Sequence, residues 1–103
     1  MIHAVFYRQN GSFYAFEVKG HAGYAESGKD IVCASVSSAV QLTLNLLYDF
    51  QCVPKIGLLG NIVRCFTNAE RDMADKIINQ FFCHLDSIAE EFPKTIKITI
   101  SEV

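Results

Sequence analysis

The chain has 103 residues, a formal net charge of −2 at neutral pH and a hydrophobic fraction of 50%. This length fits one domain that buries a sizeable core without a metal or disulfide, so we predict a single domain over residues 1–103. The composition excludes a disordered chain. The small negative charge argues against the broad basic field of a protein that grips nucleic acid through phosphates, so no direct nucleic-acid binding is expected.

The cysteine spacing predicts neither a zinc ribbon nor a disulfide framework, because the four cysteines are far apart and form no C-x-x-C pair. Three of them are expected to be reduced core residues, and neither a metal nor a cofactor is expected. The N-terminus lacks the pattern of a secretory signal. No uninterrupted apolar run approaches the roughly 20 residues of a membrane span. We therefore expect a cytoplasmic protein with no membrane partner.

The first two predicted elements form a hairpin. Residues 2–8 and 12–19 are rich in strand-forming types, and Asn10-Gly11 between them tolerates the positive φ of a two-residue turn. The first strand has apolar residues on both sides, which indicates a central strand or one covered by a partner subunit. In the second strand apolar and polar residues alternate. The side predicted to face the core carries Tyr14, Phe16 and Val18.

A long helix is predicted from Ile31 to about Phe50, because apolar residues recur along it at helical spacing. Asp30 is a preferred N-cap type, which would place Cys33 at the third helical position. Unpaired backbone N–H groups and the helix dipole stabilise negative charge at a helix start. The pattern therefore favours a thiolate at Cys33.

A histidine precedes this helix in a glycine-rich segment. His21 is flanked by Gly20 and by Ala22-Gly23, which suit an exposed turn better than a packed core. A cysteine and a histidine so placed are a possible nucleophile and base. The residue types alone leave a second interpretation open, in which Cys33 is a small buried hydrophobic residue.

These residues also resemble a known signature. The run Gly20-His21-Ala22, with Gly28, Asp30-Ile31-Val32-Cys33-Ala34 and Ser37, is similar to that of the ribosomal-processing cysteine protease (Prp) family. The resemblance covers the chain in length and order of elements, and its specific part is residues 20–37. It implies a catalytic dyad of His21 and Cys33. It also implies a substrate, the N-terminal extension of a large-subunit ribosomal protein, which in this family carries aromatic residues before the cut.

The expected reaction proceeds through a thioester acyl-enzyme. His21 takes the proton of Cys33, the thiolate attacks a peptide carbonyl, and His21 then protonates the leaving amine. Backbone N–H groups at the helix start, including that of Cys33, are the expected oxyanion donors. Two residues are auxiliary candidates. Ser37 lies one turn beyond Cys33 on the same helix face, and Asp30 either orients His21 or caps the helix.

The loop from Gly20 to Lys29 is expected to close on an extended peptide as a lid. Its candidates for loop geometry and substrate binding are Gly20, Gly23, Tyr24 and Gly28. The expected partners are the ribosomal-protein peptide and a second copy of the chain in a homodimer. Two other functions stay open: a non-catalytic ribosome-associated module that recognises a ribosomal-protein tail, and a small acyl-transferring hydrolase.

The second half of the chain predicts a hairpin, a helix and a strand. Gly60-Asn61 separates a short arm around Lys55-Ile56 from a stronger strand at 62–66. Thr67 and Glu70 have the spacing of a capping box for a helix that runs to about Phe92.

After Pro93, residues 95–103 alternate as a half-buried strand does. The order β-β-α-β(β)-α-β predicts an α+β fold, with two helices packed on one face of a largely antiparallel sheet of four or five strands.

Overall fold

The computed structural model describes residues 1–20 and 27–103, with the backbone alone for residues 27–30. The elements in chain order are β1 (Ile2–Gln9), β2 (Ser12–Lys19), α1 (Ser27–Asp49), β3 (Pro54–Leu59), β4 (Ile62–Thr67), α2 (Arg71–Glu91) and β5 (Ile96–Glu102). The predicted α+β fold is confirmed, with five strands in the described part of the chain.

The sheet has the strand order β3-β4-β2-β1-β5. Neighbouring strands are antiparallel except for β1 and β5, which are parallel. Strand β1 lies between β2 and β5 and is therefore central, one of the two predicted possibilities. Ile2, Ala4 and Phe6 are buried on the side of the helices, while Val5 and Tyr7 are half-buried on the other side.

A β-bulge changes which residues of β2 face the core. Tyr7 pairs with Ala15, but Arg8 pairs with Phe13, so Tyr14 is an extra residue in the ladder. An inserted residue reverses the alternation of side chains on one side of the bulge. Phe13 is therefore buried and Tyr14 is only half-buried, and the prediction that Tyr14 faces the core is wrong.

The core at the β1–β2 turn is an aromatic cluster, which consists of Phe6, Phe13, Phe16, Phe81 and Phe82. Ring centroids within it lie between 5.0 Å (Phe16 and Phe81) and 6.3 Å (Phe6 and Phe16) apart. The Phe6 side chain contacts the other four rings and is fully buried. This packing joins β1 and β2 to α2.

The predicted capping box of α2 is wrong. Thr67 is the last residue of β4, and its hydroxyl donates a hydrogen bond to the carbonyl of Tyr14 at 3.0 Å. Glu70 occupies the N-cap in a left-handed conformation (φ 54°) without a side-chain cap. Because β4 pairs with β2, the Thr67 hydroxyl bonds to β2 and does not cap α2. The end of α2 at Glu91, just before Pro93, is as predicted.

Helix α1 is long and apolar enough to count as a candidate membrane span, which the search for uninterrupted apolar runs did not indicate. Over Ile31–Asp49 its mean hydropathy is 1.5, so by length and composition it could cross a membrane. Polar residues interrupt the segment, which is why no continuous apolar run is visible. One such helix is weak evidence for a span, because helices that pack on a core pass the same test. Here Val32 and Leu47 are fully buried in the core.

Candidate active site

Cys33 lies on α1 and is half-buried at the edge of a cavity of about 320 Å³. We call this space the Cys33 cavity. It is found where β1 begins and β2 ends, at the opposite end of these strands from the aromatic cluster. Its lining consists of Ile2, Val18, Gly20, Cys33, Val36, Ser37, Val40, Gly60, Asn61 and Val63.

The wall of the Cys33 cavity is mostly aliphatic. Strands β1, β2 and β4 and the β3–β4 turn contribute to it, together with one face of α1. Cys33 and Ser37 are one helical turn apart and add a thiol and a hydroxyl to this apolar wall. The arrangement can hold an apolar side chain next to the thiol. The prediction that Ser37 shares a face with Cys33 agrees with this placement.

Gly20 brings the chain to the rim of the cavity in a conformation that favours glycine. Its φ is +81°, and a Cβ built on it would lie 2.8 Å from the carbonyl oxygen of Met1. Its N–H donates a hydrogen bond to the carbonyl of Asn61 at 3.2 Å. The backbone directly before His21 is therefore held at the cavity that contains Cys33.

The start of α1 differs from the prediction. The helix begins at Ser27, so Asp30 lies in its first turn and is not the N-cap, and Cys33 is the seventh helical residue. In a regular helix the N–H of residue 33 is directed at the carbonyl of residue 29. The effect of the dipole also fades beyond the first turn. The predicted position of Cys33 beside unpaired N–H groups, and its N–H as an oxyanion donor, are therefore wrong.

The other predicted site residues divide into two groups. Gly28, like Asp30, belongs to the first turn of α1, of which the structure describes the backbone. His21, Gly23 and Tyr24 lie outside the described residues, as does most of the expected lid. That His21 lies within reach of the Cys33 thiol therefore stays a prediction.

The remaining cysteines differ in environment. Burial raises the pKa of the Cys65 thiol to about 11, with a smaller effect of Cys52 nearby. Burial also raises the pKa of Cys52, and the Glu70 carboxylate adds to it. Both residues are therefore protonated core thiols at neutral pH. Cys83 is exposed on α2, so the expectation of three core cysteines is wrong for this one.

A second cavity of about 510 Å³ lies between α1 and α2 and includes Leu42, Phe81 and His84 in its lining. Although larger, it contains none of the predicted site residues. Across residues 1–20 and the described part of 27–103, no group of three or more His, Cys, Asp or Glu side chains is placed to hold a metal ion.

Sequence reasoning missed the contribution of the β3–β4 turn. Gly60 and Asn61 were expected only to close a hairpin, yet both line the Cys33 cavity. They reach it because β4 pairs with β2, with Ile62 opposite Lys19, which places the turn beside Gly20. No local sequence pattern predicts this contact, because it depends on which strand β4 pairs with.

Comparison with known proteins relates this fold and site to one family. The family model described as cysteine protease Prp matches residues 1–97. The ribosomal processing cysteine protease Prp of Bacillus subtilis (strain 168) is 28% identical over 93 residues, which is 82% of this chain and 83% of that protein.

Solved structures show the same fold. SMU.848 from Streptococcus mutans superimposes with a TM-score of 0.87 at 25% identity, over 100% of this chain and 96% of that one. The essential ribosomal processing protease Prp from S. aureus, in complex with a covalently linked product peptide, has a TM-score of 0.87 at 24% identity, over 98% and 100% of the chains. Because the family model spans nearly all of the sequence, this chain belongs to the cysteine protease Prp family and is a cysteine protease.

Proposed function

We propose that this enzyme removes the N-terminal extension of a large-subunit ribosomal protein, with Cys33 as nucleophile and His21 as base. The observation that carries the proposal is the position of Cys33, half-buried at the edge of an apolar cavity with an opening to the surface. The name of the B. subtilis relative, a ribosomal processing protease, supports the substrate class.

The proposed reaction has two steps. His21 accepts the proton of Cys33, and the sulfur forms a bond to the scissile carbonyl carbon. The C–N bond then breaks, His21 protonates the departing amine, and a thioester remains. In the second step His21 accepts a proton from water, the resulting hydroxide attacks the thioester, and Cys33 leaves as the thiolate.

The substrate side chain nearest the scissile bond is proposed to enter the Cys33 cavity. The aliphatic side chains of Val18, Val36, Val40 and Val63 line it, so an apolar side chain would release water from both surfaces on binding. Ser37 lines the same cavity, and its hydroxyl is proposed to donate a hydrogen bond to the peptide near the sulfur as an auxiliary residue. Asp30 stays a candidate for orienting His21.

We further propose a cytoplasmic homodimer that does not bind nucleic acid directly. Both helices cover one face of the sheet, and large apolar side chains stay exposed on the other, including Phe66 at 45% and Leu59 at 75%. The net charge of −2 gives no general attraction to phosphates. Sedimentation velocity with and without RNA measures both properties. A monomer, or a shift on adding RNA, would contradict this proposal.

The test of the activity is cleavage of a synthetic peptide with the sequence of the ribosomal-protein extension, followed by mass spectrometry. Wild-type enzyme is expected to cut at one bond, and Cys33→Ser and His21→Ala to leave the peptide intact while keeping wild-type circular dichroism. Cys83→Ser is the matched control, because it removes an exposed thiol that does not line the cavity. Cleavage by Cys33→Ser or by His21→Ala would refute the dyad.

Iodoacetamide labelling separates the protease from the two alternative functions. In a Cys83→Ser background, Cys33 is the half-buried thiol, whereas Cys52 and Cys65 are buried. Rapid single labelling that blocks peptide cleavage agrees with a nucleophile. An inert Cys33 would favour the binding module, and turnover of small esters without peptide cleavage would favour the hydrolase.

A further inference from the structure

Strand β3 is an edge strand of the sheet and pairs with β4 on one side. Its other edge is unpaired within residues 1–20 and 27–103. Its pairing with β4 decides which backbone groups are turned outward. Leu59 and Ile62 flank the two-residue turn and form the closing hydrogen-bonded pair. Because such pairs alternate along an antiparallel ladder, Leu58 and Ile56 direct both N–H and C=O away from β4.

This edge is protected at one end only. Pro54 lacks an N–H and Lys55 carries a charge, which are common ways to discourage pairing at an edge strand. The following run, Ile56 to Leu59, contains no charged residue. Within it the side chain of Leu58 is 74% exposed, and that of Ile56 is 37% exposed.

The exposed edge continues the wall of the Cys33 cavity. Leu58 lies directly opposite Val63, so the two side chains share the face of the sheet that the helices cover. Val63 lines the cavity, and Gly60, directly after β3, lines it as well. The unprotected half of β3 is therefore the half next to Cys33.

We propose that an extended substrate peptide adds to the sheet as a strand along the open edge of β3, with the amides of Ile56 and Leu58 as its partners. This inference rests on the proposed proteolytic function. Neighbouring strands lie about 4.8 Å apart, so the added strand would run roughly 10 Å from Val63. At about 3.3 Å per residue, at least about three residues separate the paired segment from a scissile bond held at the cavity. Backbone pairing gives affinity for an extended chain and excludes folded segments.

The test is an N-methyl scan of the peptide against Cys33→Ala, which lacks the proposed nucleophile and is expected to bind the peptide without cutting it. Each backbone amide of the ribosomal-protein extension is methylated in turn, and Kd is measured by fluorescence anisotropy. A paired strand donates every second amide to its neighbour. Methylation is therefore expected to weaken binding by about three- to tenfold at alternate positions, beginning at least about three residues from the cut, and much less between them.

A variant of the enzyme tests the complementary bond, which the Leu58 N–H would donate to a peptide carbonyl. Leu58→Pro removes one outward N–H and leaves the bonds to β4 in place, because Gly57 and Leu59 make those bonds. It is expected to raise Kd about three- to tenfold, while the alternating effect of N-methylation persists because the carbonyl of residue 58 still accepts from the peptide. Leu58→Val keeps the amide, so its Kd is expected to lie closer to the wild-type value than that of Leu58→Pro. Circular dichroism checks that each variant is folded.

The outcomes separate this inference from the proposed activity. Alternating sensitivity in Cys33→Ala, with no cleavage by wild-type enzyme, would refute the activity and keep the edge pairing. Cleavage without alternation would refute the edge pairing alone. Failure of the peptide to bind, together with no cleavage by wild-type enzyme, would refute both. Sedimentation tests the competing occupant: if Leu58→Pro converts a dimer to monomer and leaves peptide Kd unchanged, the edge pairs with a second copy and our inference is wrong.

Discussion

Replacing Gly20 with alanine tests whether the backbone before His21 must be held as the structure shows. At φ +81° an alanine loses about 1–2 kcal/mol to the left-handed conformation. Its Cβ would also lie 2.8 Å from the Met1 carbonyl oxygen. Met1 has little room to move, because the N–H of Ile2 donates to the carbonyl of Thr95 at 3.0 Å. Relief by moving residue 20 weakens its bond to Asn61, worth about 1 kcal/mol. The expected total is about 2–3 kcal/mol.

Gly11→Ala is the matched control. Gly11 has a φ of +79°, but nothing lies within 4 Å of a Cβ built there. It therefore measures the backbone cost without the contact. Urea unfolding is expected to show Gly20→Ala about 1 kcal/mol less stable than Gly11→Ala, at an unchanged m-value. Peptide cleavage is expected to separate the two variants further, with kcat/KM at least about tenfold lower for Gly20→Ala than for Gly11→Ala. The reason is that residue 20 precedes His21, the proposed base, and a small misplacement of a catalytic group is costly.

Two results would refute this reasoning. Equal unfolding free energies for Gly20→Ala and Gly11→Ala would mean that the Met1 contact costs nothing. Wild-type kcat/KM for a folded Gly20→Ala would mean that the position of Gly20 does not matter to the site.

Three further predictions concern the core. Phe6→Ala removes the fully buried ring that contacts four others and is expected to lower the unfolding free energy by about 3–5 kcal/mol in urea; a loss under about 1 kcal/mol would contradict the packing. Asp75→Ala removes the carboxylate that accepts the Phe13 N–H at 2.8 Å and is expected to cost about 1–3 kcal/mol, against a much smaller loss for the exposed Asp72→Ala; equal losses would speak against this bond. In the folded state the pKa of Cys65 is raised from 9.0 to about 11. This shift contributes stability that is fully present below about pH 9 and is lost as the pH rises towards 11. Urea unfolding at about pH 8 and about pH 10.5 is therefore expected to show a larger loss for wild type than for Cys65→Ala, and parallel pH profiles would exclude the effect.

Local patterns were sufficient for most elements. Asn10-Gly11 and Gly60-Asn61 predict the two hairpins because each pair suits a tight turn whatever surrounds it. The spacing of apolar residues predicts α2, since one helical face must be buried. The residues around Cys33 were sufficient to identify the family, because the signature lies within one short segment, residues 20–37.

Where strands pair, and where helices begin, were decided by tertiary structure. The parallel pairing of β5 with β1, the bulge at Tyr14 and the use of the Thr67 hydroxyl each depend on residues far apart in the chain. Helix α1 begins at Ser27 although Asp30 is a good capping type. The sequence by itself indicated which residues are candidates for the chemistry. Only the folded chain placed the β3–β4 turn beside Gly20 and Cys33, because a cavity is a property of surfaces that meet, and no single segment carries it.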